Sequence, residues 1–399
     1  MKKFRDLALY LSIYTGAVAY GAIYLLTLFT KRYGGNESDV GIFLGMAGIT
    51  TLLLVGASGS FAKRFGAHVV CATGILLLSL GFAILVLSKE VDLLYYSIGM
   101  LVGAGWSLFY AAGPMLILTG VSDQEKGRYI NSLSVCIVVG TATLPIISDL
   151  LPSSVDAITV ILPLVAIVLG PVSAILILLA GRLFNCKPQP AASTNKQTTK
   201  GALFRILKTE ARYPLMMVFL GACIFSSMMN FQTSYAEDRG FNYAIFYFTY
   251  MASVIGCRIA FGGILVSKNP IAPTPMLLSL MAIGLLTMIF NSRSQFIYAV
   301  GTCCLGISYG LVYPLIKTYA LKNTVKELQH EMVAYFGLFY FAGVYFFPVI
   351  AGNIIKLGNY TIFLTILLFI CLIDFVIGYS RRSVSMRLQI TEQALKNNT

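Results

Sequence analysis

Residues 181–212 read GRLFNCKPQPAASTNKQTTKGALFRILKTEAR, the one long polar run between the termini of a 399-residue chain. The run falls almost at the midpoint, with a strongly apolar block of similar length on each side. Pro188, Pro190 and the Ser/Thr/Asn/Gln tract cannot bury a core, which marks a flexible connector. Leu203, Phe204, Ile206 and Leu207, set against Arg205, Lys208 and Arg212, suggest a short helix lying on a membrane surface. A solvated basic linker is the plainer reading of the same residues. The chain is therefore expected to divide into 1–181, a connector over 182–213, and 214–399 ending in a short tail.

The flanking blocks set the class. Hydrophobic residues make up 57% of the chain and charged residues 11%, against about 25% charged in soluble domains, and the mean hydropathy is +0.80. Crossing a bilayer as a helix takes about 20 apolar residues, and such segments recur throughout: 7–30, 40–61, 69–87, 93–118, 130–150 and 158–181 before the connector, then 214–235, 243–266, 274–290, 296–318, 333–355 and 360–379 after it. The first lacks a small-residue cleavage site and is too long for a signal-peptide core, so it is expected to be retained. An all-α membrane protein of twelve spans, six on each side of the connector, is the expected fold class.

The formal charge of +13 would suggest nucleic acid in a soluble protein. In a membrane protein the placement of the basic residues decides. Of the 29 Lys and Arg, 22 fall on the side of the N-terminus, 6 on the opposite side, and Arg258 alone within an expected span. That asymmetry predicts cytoplasmic termini and a cytoplasmic connector; the bilayer, not nucleic acid, is the expected partner. The eight cysteines include no C-x-x-C pair and have no neighbouring histidines, and His68 and His330 fall in expected loops, so neither a metal nor another cofactor is expected.

The two halves echo one another. Thr27, Gly34 and Asn36 recur as Thr233, Gly240 and Asn242 at an offset of 206, and GPMLI (113–117) recurs as YPLIK (313–317) at an offset of 200. With equal span counts, these echoes predict two parallel repeats related by an axis along the membrane normal, with the site near the midplane between them.

The loop G59-S-F-A-K63-R64-F-G66-A-H68 carries a family resemblance. Gly59 would allow close helix approach, Gly66 a tight turn, and the basic pair an anchor at the headgroups. Between the second and third spans this loop resembles the signature Gly-x-Leu-Ala-Asp-Arg-x-Gly-Arg-Lys of the major facilitator superfamily, with Gly59, Ala62, Arg64 and Gly66 matching. Lys63 stands where the family has an aspartate that latches the cytosolic side, and Ala67 and His68 replace two basic residues. Gly103 and Gly105 fit the motif of the fourth span, whose arginine position holds Gly99. In the fifth span Gly140 and Pro145 fit the antiporter motif, while Leu144, Ser148 and Asp149 do not. Arg258-x-x-x-Gly262 resembles an arginine and glycine often found in the eighth span. Residues 231–251, FQTSYAEDRGFNYAIFYFTYM, resemble bacterial efflux permeases that include exporters of carboxylate-type siderophores.

The resemblance implies a monomer in a bacterial inner membrane, with the first, fourth, seventh and tenth spans lining a central cavity. The polar and aromatic residues of those spans become candidate substrate contacts: Tyr20, Tyr24, Trp106, Tyr110, Asn230, Gln232, Tyr309 and Tyr313, while Gly59, Lys63, Arg64 and Gly66 become candidate gating residues. Spacings of four place Tyr20 with Tyr24, Trp106 with Tyr110 and Tyr309 with Tyr313 on single helix faces. Arg258 joins the candidates on its own account. An arginine this deep costs at least about 2.5 kcal/mol on insertion scales and should face the bundle interior or water; a structural ion pair is its competing reading. Asp374, the one carboxylate plainly inside a span, sits on the twelfth, which in this fold is usually peripheral.

A cation without a deep carboxylate favours a secondary transporter exporting a small anionic solute, a polycarboxylate of the siderophore type among them. A proton-coupled exporter of drugs, sugars or other metabolites is the alternative; a cationic drug would call for an acidic residue deep in the first half, where Asp6 and Asp39 lie only at span edges. An enzyme would need a paired-carboxylate, Ser/His or metal constellation, and a nucleotide-driven pump a phosphate-binding loop; the chain offers none of these.

Overall fold

The computed structural model describes residues 2–117, 121–152, 156–184, 201–265, 269–291 and 293–397. The proline-bearing part of the connector, 185–200, with Cys186, lies outside them. Among the described residues eleven helices are long and apolar enough to cross a membrane, and the shorter apolar helix Thr274–Phe290 completes the expected twelve. They are α1 (Lys3–Arg32), α2 (Glu37–Phe65), α3 (Ala67–Ser88), α4 (Leu93–Ile117), α5 (Asp123–Leu150) and α6 (Ala157–Leu183). The second six are α7 (Arg212–Arg239), α8 (Tyr243–Leu265), α9 (Thr274–Phe290), α10 (Gln295–Lys322), α11 (Gln329–Leu357) and α12 (Tyr360–Asn397). Every backbone polar group in hydrocarbon must be satisfied within its own segment, so helices are the form such sequences take.

Packing repeats from half to half. In the first, α1 packs on α5 and α6, α4 on α2 and α3, and α3 on α6. Advancing each number by six gives the contacts of the second half: α7 on α11 and α12, α10 on α8 and α9, and α9 on α12. Across the halves α2 packs on α11 and α5 on α8, which is again one contact repeated by the same rule. The sequence echo has a structural counterpart. Gly34 and Gly240 both hold positive φ, 81° and 68°, in the turns that end α1 and α7, a conformation that glycine adopts without a Cβ penalty. Asn36 then caps α2 by accepting from Ser38 N, and Asn242 accepts from Ala244 N at the start of α8.

At one end of the bundle a cluster of polar and charged residues locks the halves together. Thr27 and Thr233, equivalent positions 206 residues apart, share a hydrogen bond across the pseudo-twofold axis. One turn on, Lys31 Nζ donates to Glu237 Oε2 at 3.0 Å, again across 206 residues. Glu37 accepts from Ser234 and, at 3.0 Å, from Tyr360, and pairs with Lys31 at 3.1 Å. On the flanks, Ser38 donates to Asn353 at 2.9 Å and Asn242 to Asp149 at 2.8 Å. Along α2 the face Gly41, Gly45, Gly48 lies so close to α11 that a Cβ would come within 2.5 Å of Pro348 O, 2.7 Å of Val349 and 2.5 Å of Tyr345 respectively. The same helix continues to Gly56 and Gly59, where an added Cβ meets nothing within 4 Å and only Met115 Cε at 3.7 Å. In this conformation α2 packs closely on its partner half at its beginning, and Gly59 near its end is not at a close helix approach.

The short helix after the connector, Ala202–Leu207, is present, but Ile206 is 1% exposed and belongs to the core, so the segment is docked on the bundle. α10 runs to Lys322, one turn beyond the expected end at 318, so Lys317, counted with the charges of the terminal side, stands well inside the helix. α12 contributes no residue to the central cavity, but Asp374 on it faces into the bundle and is 0% exposed.

Candidate functional site

A cavity of about 350 Å³ lies between the halves, lined by α1, α4, α5, α7, α8, α10 and α11, within the range of small-molecule sites. Of the residues singled out from sequence, Tyr20, Tyr24, Trp106 and Tyr110 line it from the first half and Asn230, Arg258, Tyr309 and Tyr313 from the second. Gln232 does not. Two residues beyond Asn230, it points to the far side of α7, where its amide donates to the Tyr298 hydroxyl and its side chain is buried. A 100° rotation per residue separates the two amides by more than half a turn, so they cannot serve one cavity.

The wall is mostly aromatic. Tyr20 stacks on Trp106 with ring centroids 3.6 Å apart and planes at 15°, and its hydroxyl bonds that of Tyr345 at 3.2 Å. Tyr309 stacks on Phe225 at 4.6 Å, and Tyr313 stands edge-on to Tyr340 at 5.3 Å. Interlocked rings of this kind are stiff and offer both an apolar face and a hydroxyl. Asn230 donates to Ser226 O at 2.8 Å, while its Oδ1 has no protein partner.

Arg258 makes no ion pair with a carboxylate among the described residues. Its Nε donates to Gly310 O at 2.9 Å and its Nη1 to Ser134 Oγ at 3.3 Å, the second contact reaching across to the other half. These bonds hold the guanidinium at the cavity wall and leave further N–H donors for a guest. Lys317, two turns beyond Gly310 on α10, lines the same cavity. The expected span 296–318 already contains it, yet it is counted there with the basic residues on the side of the termini; its spacing of four from Tyr313 is the available signal. No carboxylate is among the residues lining the cavity.

The candidate gating residues lie apart from it. Lys63 and Arg64 are exposed at the end of α2, with Arg64 stacked on the ring of its neighbour Phe65 at 5.2 Å. Gly66, at φ 92°, makes the tight turn into α3. The stretch 231–251 divides between two tasks: Thr233, Ser234, Glu237 and Asn242 close the locked end, and only Tyr250 and Met251 reach the cavity.

The sequence profile of the Major Facilitator Superfamily matches residues 7–348. The chain belongs to that superfamily. As a major facilitator protein it is a multi-pass membrane transporter of small molecules, not an enzyme. Its fold is shared with solved members: the nucleoside transporter NupG superposes with a TM-score of 0.70 at 12% identity, over 94% of this chain and 98% of that one. The human organic anion transporter MFSD10 (TETRAN) gives 0.66 at 12% identity, over 94% and 99%. At such identities the likeness is one of fold alone. Multidrug resistance protein MdtH of Escherichia coli (strain K12 / DH10B) and of Shigella boydii serotype 4 (strain Sb227) is 32% identical over 105 residues, 26% of this chain and 26% of each relative. The chain therefore spans about a quarter of the length of the curated relatives it matches.

Proposed function

We propose that this transporter exports small organic anions, polycarboxylates of the siderophore type among them, by alternating exposure of the central cavity. The observation that carries the reading is the charge of that cavity: Arg258 and Lys317 on its wall, no carboxylate, and aromatic rings between them. A guanidinium binds carboxylate through paired hydrogen bonds and the ammonium adds a second positive point. Along α10, Gly310, which holds Arg258, and Lys317 are separated by about 10 Å, which suits a guest with more than one anionic group. A cationic drug would meet two like charges and no counter-ion.

In this reading 1–181 and 214–399 move as two bodies joined by the connector, within one chain, in a bacterial inner membrane. The excess of basic residues on the side of the termini supports a cytoplasmic open end. The cavity then faces inward, closed to the outside by the Lys31, Glu37 and Glu237 cluster. An interior-negative potential favours anion exit by about 2.3 kcal/mol per charge per 100 mV, and the partial similarity to a multidrug resistance protein supports the same direction.

Trp106 is the only tryptophan in the chain and lies in the cavity wall, so its emission reports occupancy of this site directly. Titrating purified protein with di- and tricarboxylates should change that emission saturably. Arg258→Gln should weaken the response at least ~30-fold, from the ~2 kcal/mol or more lost when one partner of a buried charge pair is truncated. Arg258→Lys, which keeps the charge and loses the fork, should weaken it ~10-fold. Undiminished polycarboxylate binding by Arg258→Gln would remove the main support for an anionic substrate and favour a drug exporter.

A further inference from the structure

Behind the wall of the central cavity lies a second, much smaller one of about 10 Å³, bounded by α7, α9, α10 and α12. That is about the space of one water. Asp374 of α12 opens onto it. The residue is 0% exposed, and neither carboxylate oxygen has a hydrogen-bond partner in the protein. From α7 and α9 the small cavity is faced by apolar residues such as Met217 and Met281, and no cation lines it. The titratable groups nearby are Tyr309 and Tyr313 of α10, which border both cavities, and Cys371 of α12, whose thiol is turned to Leu278 O at 3.5 Å.

A carboxyl group placed this way has no structural reward. Ionised, it would stand uncompensated in a low-dielectric interior at a cost of several kcal/mol. Neutral, it leaves its O–H and C=O unpaired, unless the small cavity holds a water. Asparagine would fill the same volume without the charge problem, and leucine would do so without any polar group. Intramembrane acids are functional sites by default, and proton relays are among their established uses.

We propose that Asp374 is a proton-binding site, loaded and unloaded through the Tyr309 and Tyr313 wall of the central cavity, so that the transport cycle carries a proton as well as its solute. The chemistry is one transfer: water in the cavity delivers a proton, an O–H bond forms on a carboxylate oxygen, and release reverses it through the same tyrosine-lined wall. Loading neutralises the acid and stabilises the conformation in which α10 and α12 enclose it. Unloading destabilises that packing and favours the other conformation. The inference is independent of the sign of the solute's charge.

The test needs no substrate, since the proton is the ligand. Infrared difference spectra of the full chain in lipid vesicles, recorded across a pH change, should contain a carbonyl band of a protonated carboxylic acid. The band should vanish in Asp374→Asn, remain in Glu37→Gln, and shift in frequency in Asp374→Glu, a variant that keeps the acid should the amide fail to fold. Spin labels on the two halves, at Glu90→Cys and Arg293→Cys in a background lacking the native cysteines, should show a conformational population that changes with pH by up to tenfold per unit in the parent and by less in Asp374→Asn. A carboxylic acid band unaltered by both substitutions at Asp374, or a pH response of the labels equal in parent and Asp374→Asn, overturns the proposal. The polycarboxylate titration of Trp106 emission is a separate readout, so loss of one reading leaves the other standing.

Discussion

Glu37→Gln should open the locked end of the bundle. The Glu37 side chain is 11% exposed, pairs with Lys31 at 3.1 Å, and accepts from Ser234 and Tyr360 of the opposite half. Hydrogen bonds to charged groups contribute about 1.5–3 kcal/mol, roughly twice their neutral counterparts. Glutamine keeps an acceptor oxygen, so each of the two cross-half bonds weakens by about 1 kcal/mol without being lost, and Lys31 retains Glu237. The sum, about 2 kcal/mol, shifts the equilibrium between conformations by ~30-fold. Glu237 offers the internal comparison. Its side chain is 62% exposed, so its pair with Lys31 is screened and Glu237→Gln should shift the equilibrium by less than ~1 kcal/mol. Pulsed electron–electron distance measurements between labels at Glu90→Cys and Arg293→Cys, exposed residues on opposite halves at that end, read the two populations directly. A second, longer distance should grow in Glu37→Gln and remain minor in Glu237→Gln. Equal effects of the two substitutions, or none from either, would refute the assignment of the lock to a buried carboxylate.

On α2, Gly48→Leu should disfavour the present conformation, because a Cβ there would lie 2.5 Å from Tyr345 Cβ; Gly59→Leu, with only Met115 Cε at 3.7 Å, should leave it intact and block closure of the open end. The same label pair distinguishes them, and transport should fail in both, whereas Lys63→Ala, at an exposed position, should slow transport only modestly. A cysteine introduced at Thr194 in the connector should react with an impermeant maleimide in inverted vesicles and not in intact cells; labelling from the outside of cells would reverse the orientation and with it the inward-facing assignment of the cavity.

Much of the site was legible as chemistry and little of it as geometry. Arg258 stood out because a cation in hydrocarbon is expensive wherever it points, and it does reach the cavity. Tyr20, Tyr24, Trp106 and Tyr110 came from the spans that the family resemblance places around the cavity, and the spacing of four put each pair on one face. Gln232 and Lys317 were missed for one reason: each needed the rotation of its helix, α7 or α10, about its own axis, and Lys317 had been counted with the charges at the span's end although the expected span contained it. Asp374 was visible as a carboxylate in a span, and its sealed, unpartnered setting was not.

The number of spans, their class and the repeat at an offset of 206 follow from local properties of the chain: apolar runs of bilayer length, breaks rich in polar residues, and matched turn residues. Those properties are set by the solvent, because a lipid interior demands closed helical hydrogen bonding and enough length, whatever the neighbours. Which face of each helix turns inward is a different matter. In lipid both the outward and the inward faces are apolar, so the pattern that orients a helix in water carries little information here. Packing decided it. The glycine face of α2 seats on α11, the pair Thr27 and Thr233 sits on the axis between the repeats, and the lock at Glu37 closes one end. From that arrangement come a cavity with two cations and, behind its tyrosine wall, one uncompensated acid.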